Sequence, residues 1–190
     1  MKNIIKLLVL FILLFFHTGS ETMFAQNSKK SKNTVIVKKN NGRVSSKAVV
    51  YKKQKKKVVA VRTLPNRSTV KHNGINYYYS NNRFYTYSGG RYILIAPKSG
   101  FRINTLPAGY IKIKHANRNY FWSSGVFYDH VDDGYEVVEP EIGTVIYELY
   151  EDYERVEIEG NSYYEFDNVL YEKIQIDGTR AYEVVGFIEQ

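Results

Sequence analysis

Tyrosine recurs along this chain at a fixed interval. Tyr77, Tyr120 and Tyr163 are 43 residues apart, and so are Tyr85, Tyr128 and Tyr171. Pro97 and Pro140 keep that spacing, as do Gly100 and Gly143. A period of this length is the mark of one supersecondary unit used repeatedly. Three copies cover 61–101, 102–146 and 147–190, the last with extra residues near "IDGTR", because Tyr135 matches Tyr182 rather than position 178.

The repeat also places the turns. Positions 74, 117 and 160 are Gly, Asn and Gly; positions 82, 125 and 168 are Asn, Gly and Asn. Those residue types best tolerate positive φ, so each copy is expected to turn between strands at both places. "SGGR" at 88–91 and "DDG" at 132–134 mark a further hairpin.

Between the turns, apolar and charged residues alternate with period two. Val70 and His72, then Ile111, Ile113 and His115, then Val156 and Ile158 share one face, while Lys71, Lys112, Lys114, Glu157 and Glu159 take the other. Later in each copy Tyr92 and Leu94, Tyr135 and Val137, Tyr182 and Val184 fall together. Each copy therefore reads as a meander of about four strands, rich in residues that pack on a pleated surface. The expected fold is all-β: three meander repeats forming small SH3-like barrels or a continuous curled sheet. Three copies are too few for a propeller, which closes with about four to eight blades.

The N-terminal part has a different composition. Lys2 and Lys6 precede an apolar run from Leu7 to Phe16, and Ala25 offers a cleavage point, so residues 1–25 read as a secretory signal peptide. The run is too short for a retained span, which needs about 20 apolar residues. Residues 26–60 hold twelve cations and no acid. They read as a flexible basic linker, with Lys52, Lys53, Lys55, Lys56 and Lys57 as an electrostatic tether. In an exported protein the available polyanions are envelope glycans and lipid head groups, and no nucleic acid is expected. The mature chain has no second long apolar stretch, so no transmembrane span is expected in it.

Residues 141–190 carry 13 acids against Arg155, Lys173 and Arg180. The basic arm and the acidic last copy therefore stand as two alternatives. The arm binds an external polymer, or it is attracted to the acidic copy, within one molecule or by self-association.

Catalytic signals are sparse. The chain has no cysteine, which removes disulfides, thiolate zinc sites and cysteine nucleophiles. No nucleophile elbow, phosphate loop or dinucleotide fingerprint occurs, so no enzyme activity and no cofactor are expected. His72 and His115 occupy equivalent positions that the third copy fills with Ile158, which favours packing over ligation. His130 sits beside Asp129, Asp132 and Asp133 without the glycine and terminal glutamate of a calcium loop. These three histidines are the candidates for a weak periplasmic metal site. Tyr78, Tyr79 and Trp122 are the candidates for stacking on sugar faces, because amphipathic rings suit that role as well as cross-strand packing.

The frame "LPAGY" (106–110), aromatics at 120–122, "GVFY" (125–128) and "GYEVVEPEIG" (134–143) resembles a family of short, exported, tyrosine-rich bacterial proteins classed as a domain of unknown function. The resemblance covers about 61–190 and is closest in the central copy. The third copy has "LYEDY" in place of the Leu-Pro-x-Gly-Tyr frame. The resemblance implies an envelope location, periplasmic or extracellular, and carries over no site residues. The expected function is that of a non-catalytic, envelope-associated structural or interaction protein, with a carbohydrate-binding module as the alternative.

Overall fold

The computed structural model describes residues 41–53 and 58–189; the expected signal peptide and Lys55, Lys56 and Lys57 lie outside the described residues. The described fold is all-β, interrupted only by a short 3₁₀ turn at Ser46–Ala48. That turn joins β1 (Arg43–Ser45) to β2 (Val49–Tyr51). Next come β3 (Ala60–Val61), β4 (Ser68–His72), β5 (Ile75–Ser80), β6 (Arg83–Ser88) and β7 (Arg91–Ile95). A second run comprises β8 (Arg102–Ile103), β9 (Ile111–His115), β10 (Arg118–Ser123), β11 (Val126–Val131) and β12 (Gly134–Val137). The third comprises β13 (Val145–Ile146), β14 (Glu154–Ile158), β15 (Asn161–Phe166), β16 (Val169–Ile176) and β17 (Thr179–Glu189).

Each run builds its own sheet on one plan. Four strands form an antiparallel meander, and the short leading strand pairs with the last: β3 with β7, β8 with β12, β13 with β17. The register is shared as well. Tyr78 faces Tyr85 and Tyr85 faces Leu94; Phe121, Tyr128 and Val137 align in the same way, and so do Tyr164, Tyr171 and Val184. The hairpin turns Asn81–Asn82, Ser124–Gly125 and Asp167–Asn168 hold positive φ at both residues, the geometry that matches strand twist. Gly125 is fixed by space too, because a Cβ there would strike the Phe166 ring. In the middle copy, Ala116 rather than Asn117 carries the positive φ of the preceding turn.

The tyrosines of the repeat build the core. Tyr120, Tyr128, Tyr163 and Tyr171 are essentially inaccessible. Burying an aromatic side chain of this kind is worth about 1.5–3 kcal/mol. The sheets stack in one direction. The face of the first sheet carrying Tyr77, Tyr79 and Phe84 packs on the second sheet's Tyr128, Val137 and Phe101. The opposite face of the second, with Tyr120, Trp122 and Phe127, packs on the third sheet's Tyr171, Tyr182 and Val184. One face of each sheet thus meets the unlike face of the next.

The structure decides between the two sheet alternatives and changes one expectation. The copies form three separate sheets rather than one continuous curled sheet. Part of the expected flexible linker is also strand. β1 pairs in parallel with β17, and β2 pairs antiparallel with β14, at opposite ends of the third sheet's order. Only the 3₁₀ turn separates β1 from β2, so this sheet curls until its two ends nearly meet, as a barrel almost closed. Its interior gathers Val44, Val156, Ile158, Tyr163, Leu170 and Ile188. Among the described residues no helix is long and apolar enough to cross a membrane.

Candidate functional site

The rings expected to stack on a ligand lie in three different places. Tyr78 is on the outer face of the first sheet, edge-on to Tyr92 at 5.1 Å and 81° and to Tyr87 at 6.4 Å and 70°. The Arg67 guanidinium lies 5.8 Å from its ring. Rings at such angles offer no common plane for a sugar. Tyr79 belongs to the core between the first two sheets, and its hydroxyl donates to Asn82 Oδ1 at 2.7 Å. Trp122 is only 6% exposed, inside the core between the second and third sheets. A stacking platform built from these three rings is not what the chain forms.

The histidines are dispersed too. His72 packs 4.9 Å from the Phe101 ring, and its Nδ1 accepts the Arg102 backbone N–H at 3.4 Å. His115 lies against Gly143, with Nε2 3.9 Å from a Glu141 carboxylate oxygen. Their counterpart Ile158 is buried beneath the N-terminal strands. His130 packs edge-on to Tyr135 at 5.4 Å. Among the described residues no three His, Asp or Glu side chains converge to hold a metal ion.

The basic arm gives a clearer result. The Lys52 backbone N–H donates to the Arg155 carbonyl at 2.9 Å, extending the pairing of β2 with β14, and its ammonium pairs with Glu157. Arg43 makes two hydrogen bonds to the Glu139 carboxylate, at 2.6 and 3.2 Å, and stacks 4.7 Å from the Phe187 ring. Those bonds to Glu139 raise its already high pKa further. Tyr51 is pushed up to about 12 by burial first, and then by the negative charge of Glu165 and Glu154. Glu154 and Glu165 face each other directly across β14 and β15, and the neutral phenol of the arm sits beside them. Two carboxylates opposed in this way repel. A neutral hydroxyl is the kind of neighbour that moderates such a pair. The arm and the acidic sheet therefore meet within one molecule.

A feature not anticipated from sequence lies where the three sheets converge. A cavity of about 380 Å³ is lined by Asn82 and Phe84 of the first sheet, Ser124 and Tyr128 of the second, and Glu165 and Asn168 of the third. The equivalent hairpin turns of all three copies thus meet around one space. Two of them are tied down from the same repeat position, since Tyr79 donates to Asn82 and the Asn168 N–H donates to Glu165 Oε1 at 2.7 Å. At the rim Arg83 pairs with Glu151 and lies 3.6 Å from Asp152. The only advance signal was the Asn/Gly/Asn pattern at 82, 125 and 168, which marks turns but not their convergence.

These features define an all-β protein of stacked, tyrosine-cored sheets, the last of them completed by the chain's own N-terminal strands. Residues 48–188 match the family described as "Family of unknown function (DUF6515)", and the chain belongs to that family. No curated protein and no solved structure shows a significant match.

Proposed function

We propose that this is an exported, non-catalytic structural or interaction protein of the bacterial cell envelope. Its stacked sheets, repeats of one unit, serve as the scaffold, and cations flanking the docked strands carry affinity for anionic envelope polymer, whether glycan or lipid head group. The observation that carries this reading is the docking of β1 and β2 on the acidic third sheet. It joins the arm to the body through a hydrogen-bonded ladder, so a polymer held by Lys38 and Lys39 or by Lys55, Lys56 and Lys57 would be coupled to the whole stack. Arg43 and Lys52 serve the fold instead, through Glu139 and Glu157.

The test is co-sedimentation with purified envelope fractions, comparing the mature chain with a variant carrying Gln at Lys38, Lys39, Lys55, Lys56 and Lys57. Neutral replacements leave β1 and β2 in place. Binding should fall sharply in the variant and in high salt, because exposed charges are screened beyond about 8–10 Å at physiological ionic strength. Unchanged binding would assign the affinity to the sheets.

A carbohydrate reading keeps one specific support, now at a different place. The cavity where the three turns meet combines aromatic walls with hydroxyl, amide and carboxylate groups, a lining suited to a small polyhydroxylated molecule. A thermal-shift screen with mono- and disaccharides tests it, and an unmoved melting curve would remove it.

A further inference from the structure

We infer that the free edge of β9 is an acceptor site for an extended segment of a partner protein in which apolar residues alternate with acidic ones. The inference extends the reading of an interaction protein by naming a partner chemistry. The geometry comes from the protein itself. β9 is the counterpart of β14, with Lys112 at the place of Arg155, Ile113 of Val156, Lys114 of Glu157 and His115 of Ile158. In the third sheet that edge takes an added strand, β2, with Tyr51 opposite Val156 and Val49 opposite Ile158. In the second sheet β9 pairs with β10 alone; among the described residues no strand bonds to its outer edge, although β13 passes close beside it.

The vacant edge opens on a groove of about 470 Å³. Ile111, Ile113 and Trp122 form one wall, and Val145, Tyr147 and Glu148 face them from the third sheet. Two of these apolar side chains stand in solvent, Ile111 at 44% and Tyr147 at 61% exposure. An apolar surface beside an unpaired strand edge is the usual setting for strand addition. Trp122 brings a second, independent sign. Its indole N–H is buried without a hydrogen-bond partner, and buried donors are rarely left so.

Charge selects the occupant. On β14 the added strand brings Lys52 to Glu157. The same position on β9 is Lys114, with Lys112 two residues before it; neither makes an ion pair with the described residues, and the Lys112 ammonium lies 5.8 Å from the Phe121 ring. The sign is inverted, so a strand seated on β9 must carry acid where β2 carries lysine. The same two lysines oppose pairing of β9 with β9 of another copy, because like charges directly across a ladder repel.

The full mature chain should be titrated against two labelled short peptides, one alternating valine with glutamate and one alternating valine with lysine, reading anisotropy of the label. Emission from Trp122, the single tryptophan, reports occupation of the groove. The glutamate peptide should bind with a saturable change in Trp122 emission, about tenfold more tightly than the lysine peptide, the size expected for two cross-strand charge pairs. The double variant Lys112→Glu, Lys114→Glu should reverse that preference. Absence of binding, equal binding of both peptides, or an unaltered preference in the variant overturns the inference. The arm lysines are intact in every sample and no envelope polymer is present, so failure here is separate from failure of the polymer reading.

Discussion

A stack in which each sheet meets the unlike face of the next must end in two different surfaces, and this protein finishes them differently. The last sheet covers its outer face with strands brought from the N-terminal side, leaving Val156, Ile158 and Tyr163 with 2% exposure or less. The first sheet covers its outer face with the segment around Val61 and Leu64 alone, and Tyr87 remains 52% exposed. One end is sealed by two added strands on opposite edges of its sheet, the other by the two-residue strand β3 on one edge and the short segment that follows it. The lesson is that β1 and β2 are part of the domain, although their composition is that of a tether.

The contrast is open to attack in order of size. Val44→Asp with Val49→Asp puts carboxylates into the sealed end and should cost about 3 kcal/mol or more, since unpaired buried charge is strongly unfavourable; Tyr87→Ala at the open end should change urea stability by about 0.5 kcal/mol or less. Equal losses at the two ends would erase the distinction. Next, Tyr163→Ala should cost about 3–5 kcal/mol by leaving a large cavity, whereas Tyr78→Ala, at a partly buried ring, should cost roughly half of that.

Smaller is the response to alkali. The Tyr51 pKa is raised from 10.0 to about 12, so the fold favours the neutral phenol. Its contribution is complete below about pH 10 and is lost as pH rises toward 12. Urea stability of the native chain should therefore fall more steeply over that interval than that of Tyr51→Phe, and parallel curves would show that the phenol is not held beside Glu165 and Glu154. Smallest of all is Lys52→Ala. Its pair with Glu157 is partly exposed, so a loss of about 1 kcal/mol or less is expected, diminishing as salt is added.

Much of the fold was legible because the 43-residue spacing marks equivalent points in each of the three sheets. Tyr85, Tyr128 and Tyr171 are buried at equivalent points, and the paired positive-φ residues appear at 81–82, 124–125 and 167–168. What escaped is long-range. Lys52 meets Glu157 across 105 residues, and no local pattern announces such a contact. Val49 and Tyr51 show period two over a strand too short to stand out among lysines. Two of the three aromatic candidates, Tyr79 and Trp122, turn inward for a related reason. Tyr79, Trp122 and Glu165 are one repeat position, and the buried carboxylate in the third copy marks that position as interior.

The parallel pairing of β1 with β17 has a mechanical meaning. Arg43 lies opposite Phe187 and Ser45 opposite Glu189, so the chain enters at one end of this ladder and leaves at the other. Tension applied between the arm and the C-terminal end would load the rungs together, in shear, instead of opening them one after another. A strand pair oriented this way resists pulling better than its short length suggests, and it stands where a load on the arm would first be felt.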